Sequence, residues 1–314
     1  MPTLRTRRPL ATPLTALITT ALAAGALGAC ASPPSDDAVE VVASFYPLQF
    51  VAERVGGEHT TVHNLTPPAA DPHGLELSPA RVRLLGSADV VVYLSGMQAA
   101  TDEAVAAQRP DHVVDTAEVA GPGPGEAGGQ GTAADTRPGD AVDPHFWQDP
   151  ALLAAAARRV ADELAAADPG NAADYAANAA ALADELAAID EEYRTSLAPC
   201  AGATLVTSHE AFGYLAERYD LNQVGIVGLD PEVEPSPARL RHVRSVVRDA
   251  GVETIYFEVI TSPKVAQALV DDLGVATDRL DPLEGQSDAG SDYLDVMRAN
   301  LAALRSGLVC DEAP

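Results

Sequence analysis

The stretch NAADYAANAAALADELAAIDEEYRTSL, residues 171–197, decides how this chain is built. It is made almost wholly of helix-forming Ala, Leu, Glu, Asp and Arg. A helix of about 27 residues is roughly 40 Å long at 1.5 Å per residue, enough to bridge two lobes. The break ADPGNAA (167–173) separates it from an earlier helix-forming run that begins near residue 149.

On either side the pattern changes to short β-branched runs alternating with helical ones. Before it, strands are expected at 39–45, 60–65, 89–94 and 112–116; after it, at 203–207, 223–227, 254–258 and 275–280. Helices are expected near 210–219, 236–250, 263–273 and 291–307, and Ser78-Pro79 opens another with a cap and a first-turn proline. Strand–helix alternation argues for parallel sheets flanked by helices. The expected fold is α/β, with two lobes of this kind joined by the long helix and no evident repeat at short period. Residues 120–142 interrupt the first lobe with a Gly- and Pro-crowded loop that lacks apolar periodicity.

The N-terminus has another character. Arg5, Arg7 and Arg8 precede an apolar run from Leu14 to Leu27, and small residues lead to Cys30. This is the layout of a secretory signal over 1–29. Cys30 at its end resembles a bacterial lipobox, which implies a lipidated mature N-terminus, and 30–38 then reads as a tether. The remaining boundaries are an N-terminal lobe over 39–170, the connecting helix over 171–198 and a C-terminal lobe over 199–314. The other two cysteines, Cys200 and Cys310, form an even pair. In an exported chain that reads as a disulfide, against the alternative of two buried thiols. A formal net charge of −26 opposes nucleic-acid binding and favours a cationic ligand.

Seven histidines are present, and two sit in one frame: DPHGLELSP (71–79) and DPHFWQDP (143–150). His73, His145 and, in SHEAFGYLAERYDL, His209 all fall at or beyond the carboxyl ends of expected strands, the edge where open α/β sheets bind ligands. Three neutral imidazoles suit zinc. A fourth ligand is expected to be a carboxylate or another histidine. Asp281 in LDPLEG ends a strand, and the intervals 73–145 and 209–281 are equal. Asp71 and Asp143 read either as partners of the imidazoles or as turn formers. His59, His63, His112 and His242 read as structural or surface residues.

These motifs, with YFEVITSPKVAQALVDDLGV (256–275), resemble the high-affinity zinc/manganese solute-binding proteins of ATP-driven importers, the cluster A-I metal-binding family, over essentially the whole mature chain. The resemblance implies two α/β lobes, a rigid connecting helix and one metal between the lobes, with His73, His145, His209 and Asp281 as ligands. It also implies a monomer anchored outside the cytoplasmic membrane that hands its metal to an ABC permease. Histidine at the third position marks the zinc type, whereas many manganese members carry Glu there. One departure stands out: many zinc members have a His-rich, acidic loop before the second ligand, whereas 120–142 has no histidine and keeps acids at Glu126, Asp135 and Asp140. The alternatives are a manganese-binding homologue, a surface adhesin and a zinc hydrolase. The last fits poorly, because HEAFG has Gly213 where H-E-x-x-H requires a second histidine.

Overall fold

The computed structural model describes residues 38–68, 70–121, 123–124, 142–258, 270, 272–286 and 288–310. The signal segment, Cys30, most of the tether, most of the 120–142 loop and most of the helix expected at 263–273 lie outside them.

The first sheet holds Val39–Ala43 (β1), Thr60–Asn64 (β2), Val90–Tyr93 (β3) and Val113–Asp115 (β4), all parallel, in the order β2-β1-β3-β4. The second holds Thr204–Thr207 (β5), Asn222–Gly225 (β6), Thr254–Phe257 (β7) and Ala276–Arg279 (β8), also parallel, in the order β6-β5-β7-β8. The first strand of each lobe is therefore central, and the second and fourth lie at the edges. Helices Tyr46–Gly56 (α1), Pro79–Gly86 (α2), Ala99–Gln108 (α3), Ala117–Ala120 (α4) and Pro150–Ala167 (α5) accompany the first sheet. Ala172–Leu197 (α6) connects it to the second, which Gly213–Arg218 (α7), Pro237–Asp249 (α8) and Tyr293–Gly307 (α9) accompany.

Strand residues alternate between two apolar layers, as the two-residue period requires. Val41 and Ala43 enter an inner core, while Val42 meets Leu65, Leu85 and Val91 on the outer face of the first sheet. In the second sheet Leu205 enters the same inner core and Val206 a separate outer cluster with Val243 and Ile255. The inner core runs through both lobes because α6 joins them. Its buried stripe, Tyr175, Ala179, Leu182, Leu186, Ile189, Tyr193 and Leu197, recurs every three or four residues. Near its start, Asn178 Nδ2 donates to the Val55 carbonyl (3.0 Å); near its end, the Tyr193 hydroxyl donates to the Met297 carbonyl (2.6 Å).

A polar clasp reinforces this junction. Asp190 on α6 accepts from Arg218 Nε (2.6 Å) and Nη2 (2.8 Å) and from the Tyr219 hydroxyl (3.1 Å). Arg218 Nη1 also reaches Asp149, the cap of α5 (3.1 Å). Burial pulls the Asp190 carboxyl up, but these hydrogen bonds outweigh it and hold it low. A disulfide between Cys200 and Cys310 ties the foot of α6 to the end of α9, as the cysteine count suggested.

The structure also exposes a repeat that the sequence pattern alone does not reveal. DPHGLELSPARVR (71–83), between β2 and α2, is matched by DPEVEPSPARLR (230–241), between β6 and α8. Both helices start alike: Ser78 Oγ accepts from the Arg81 amide (3.4 Å) and Ser236 Oγ from the Arg239 amide (3.1 Å). One gap of a single residue and a low-similarity centre hide the match until the shared strand order aligns it.

Candidate metal centre

Asp-Pro dipeptides place the key loops. Asp71 Oδ1 accepts from the His73 amide (2.8 Å), Asp143 Oδ1 from the His145 amide (2.9 Å) and Asp281 Oδ1 from the Leu283 amide (2.8 Å). In each, the aspartate closes a tight turn onto the amide two residues on, and proline fixes the backbone between. The frame is general in this chain: Asp149 holds the Ala151 amide (2.7 Å) and Asp230 the Glu232 amide (2.9 Å). The aspartate thus builds the turn, and the turn presents the side chain beyond the proline.

Three imidazoles and one carboxylate meet between the lobes. Glu284 Oε1 lies 3.2 Å from His73 Nε2, 3.0 Å from His145 Nε2 and 3.1 Å from His209 Nε2. One donor atom from each of the four residues falls within 4.8 Å of all the others. His145 and His209 are wholly buried and Glu284 is 3% exposed, whereas the His73 side chain keeps 13% exposure. His73 follows β2, His145 follows β4 and Glu284 follows β8, all edge strands; His209 follows the central strand β5.

The fourth position corrects the expectation from sequence. Asp281 is not in this group; its carboxylate closes the turn onto Leu283, and its amide is held by Asn300 Oδ1 (2.9 Å). Glu284 stands in its place. Leu283 adopts φ 63°, a left-handed conformation that costs a non-glycine residue about 1–3 kcal/mol, and the side chain presented is shifted one residue further on. The equal intervals that pointed to Asp281 are coincidental. The available signal is the frame itself: in LDPLEG the side chain that joins the centre lies after Asp-Pro, as in both DPH stretches.

The remaining ring nitrogens of two of these histidines are also engaged. His145 Nδ1 donates to Asp143 Oδ1 (2.7 Å), and His209 Nδ1 to Glu258 Oε2. Glu258 further accepts from the Ser208 hydroxyl (2.7 Å) and the His209 amide (3.2 Å). Such partners fix the tautomer and turn Nε2 toward the centre. Glu258 follows β7 and is not singled out by sequence; nothing in its local pattern marks it. Glu210, the neighbour of His209 in sequence, instead pairs with Arg239.

Burial lowers the affinity of His209 for a proton, yet hydrogen bonds to Glu258 and Glu284 outweigh it and hold its pKa up to about 10. His145 is also raised: burial opposes, but Asp143 and Glu284 prevail. Glu284 is pushed up by burial and carried well below the usual carboxylate range by its three histidines. The three imidazoles and the carboxylate thus hold one another through hydrogen bonds in a largely buried centre.

The N-terminal ligand loop is bonded to the C-terminal one. Trp147 Nε1 (2.8 Å) and Gln148 Nε2 (2.6 Å) both donate to the Pro282 carbonyl, and the Tyr293 hydroxyl donates to the Trp147 carbonyl (2.6 Å). A cavity of about 250 Å³, lined in part by Gln49, Thr66 and Arg81, reaches Glu284 from one side. A larger one of about 320 Å³ lies at the foot of the second sheet by Cys200 and Glu253, and none of the four residues lines it. Four converging protein donors, three imidazoles and one carboxylate, suit a four-coordinate ion.

Comparisons with known proteins agree with this geometry. The family profile described as zinc-uptake complex component A, periplasmic (ZnuA), matches residues 41–307. The high-affinity zinc uptake system protein ZnuA of Bacillus subtilis strain 168 is 32% identical over 282 residues, covering 87% of this chain and 88% of its own. The zinc-binding lipoprotein AdcA of Streptococcus pneumoniae serotype 4 is 32% identical over 299 residues, or 92% of this chain, which spans only 60% of that longer protein. The crystal structure of Zn(II)-bound AdcA from Streptococcus pneumoniae superposes with a TM-score of 0.73 at 30% identity, covering 88% of this chain and 59% of that one. With the fold, the centre and the sequence in accord, this chain belongs to the ZnuA family of metal solute-binding proteins.

Proposed function

We propose that the protein captures zinc outside the cytoplasm and delivers it to a membrane ABC permease for import. The observation that carries this reading is the convergence of three histidine Nε2 atoms on one Glu284 oxygen. A dication at this point of convergence would have His73, His145, His209 and Glu284 around it as its ligand set. Three imidazoles and a single carboxylate favour zinc, whereas manganese prefers oxygen donors, so the manganese alternative is not favoured. The relatives named for zinc uptake and zinc binding support the same cargo.

Lipidation at Cys30 would hold a monomer at the outer face of the membrane, within reach of the permease. Because one inner core and the α6 stripe run through both lobes, loading is expected to proceed by local loop adjustment rather than by a wide hinge closure. The mature protein, stripped of metal and reloaded in a mixture of zinc and manganese, should retain one zinc per chain by elemental analysis. Retention of manganese instead, or of no metal, would overturn the reading.

A further inference from the structure

The two lobes end their edge strands in the same way. After the second and the fourth strand of each lobe comes an Asp-Pro turn: Asp71-Pro72, Asp143-Pro144, Asp230-Pro231 and Asp281-Pro282. In all four the aspartate Oδ1 accepts the amide two residues on, at 2.8–2.9 Å. Three of these turns present a member of the centre: His73, His145 and Glu284. The fourth presents Glu232, in the position that His73 holds in the repeated stretch.

Glu232 is also placed against the first ligand loop. A methyl group put on Gly74, next to His73, would lie 3.1 Å from Glu232 Oε2. The two equivalent loops thus face each other across the lobes. Glu232 is exposed, and no hydrogen bond or ion pair engages its carboxylate among the described residues. His73, its counterpart, is the most exposed of the four centre residues.

We propose that Glu232 is a relay ligand for zinc. It binds the incoming ion at the mouth of the centre and passes it to His73, while taking no part in the final four-donor set. The inference rests on the zinc reading above. A hard, anionic oxygen that is solvated exchanges its partners rapidly, which suits a first, weak contact with a dication. The buried pair His145 and His209 would close on the ion last.

The chain's one tryptophan, Trp147, has its ring 5.2 Å from that of His145 and offers a stopped-flow signal for zinc arrival. Glu232→Gln should slow both association and dissociation about three- to tenfold, the scale of one carboxylate's pull on a nearby dication, with Kd within about twofold of the parent. Because the contact is direct ligation, the slowing should persist at roughly 0.5 M salt, where long-range fields are screened. Glu76→Gln, an exposed acid on the His73 loop, should behave like the parent. Unchanged rates in Glu232→Gln, a slowing abolished by salt or shared by Glu76→Gln, or a large loss of equilibrium affinity would each overturn the proposal. A parent that binds no zinc would sink the zinc reading and the relay with it, whereas a zinc-binding parent with an indifferent Glu232→Gln would sink the relay alone.

Discussion

The two lobes share a strand order and a pair of Asp-Pro turns, but they furnish the centre differently. The N-terminal lobe gives one member of the centre from each turn, His73 and His145. The C-terminal lobe gives Glu284 from one turn and draws the other, His209, from the end of its central strand. The difference follows the support behind each side chain. His145 and His209 are buried and their rings are backed by Asp143 and Glu258; His73 is partly exposed, and Asp71 holds its turn through the backbone amide. A common scaffold thus yields a rigid side and a more accessible side.

The disulfide belongs to the C-terminal lobe, and breaking it should have the largest effect. It closes a loop of 110 residues, worth about 4–5 kcal/mol in the chain-entropy account. Cys310→Ser, or reduction, should lower the melting temperature strongly while leaving zinc stoichiometry at one per chain. Next come the buried ligands. His145→Ala or His209→Ala should weaken zinc by more than the roughly 10–100-fold typical of losing an outer partner, and His73→Ala by less than either. Calorimetric titration orders the three, and equal losses would erase the asymmetry between rigid and accessible sides. Glu258→Gln and Asp143→Asn should then cost about 10–100-fold each, because the imidazole tautomer is no longer fixed.

The smallest effect is in pH. In the metal-free protein His209 keeps its proton up to about 10 and His145 is raised as well, so zinc must displace protons at neutral pH. Calorimetry in buffers of different ionisation heat should show release of at least about one proton per zinc near pH 7.5, with affinity falling as pH falls. The sign for stability is the opposite. The raised pKa of His209 stabilises the metal-free fold fully below its ordinary value of 6.5, and that contribution is lost as pH rises through about 10. Metal-free protein should therefore lose melting temperature across that window relative to the zinc-loaded form.

Much of this is legible in the sequence because it rests on local signals. All eight strands and the connecting helix follow from β-branched runs and from an uninterrupted helix-forming stretch, and three of four centre residues from their place after strands. Glu284 is not legible by the same reasoning, because a left-handed Leu283 shifts the presented side chain by one residue, and backbone handedness at a leucine carries no composition signal. Glu258 escapes because its role is a contact with His209 across 49 residues of sequence. The lobe repeat escapes because only the turn and the helix cap are alike, and their equivalence depends on strand order.

The central claim is that Glu284, with the three histidines, holds zinc while Asp281 shapes the loop. Competition titration of zinc against Glu284→Gln and Asp281→Asn tests it directly. The amide introduced by Asp281→Asn keeps an oxygen to accept the Leu283 N–H, so this variant should stay within about tenfold of the parent, below the effect of a lost ligand. Glu284→Gln should weaken zinc by more than about 100-fold. The reverse ranking, with Asp281→Asn the more damaging, would contradict the account.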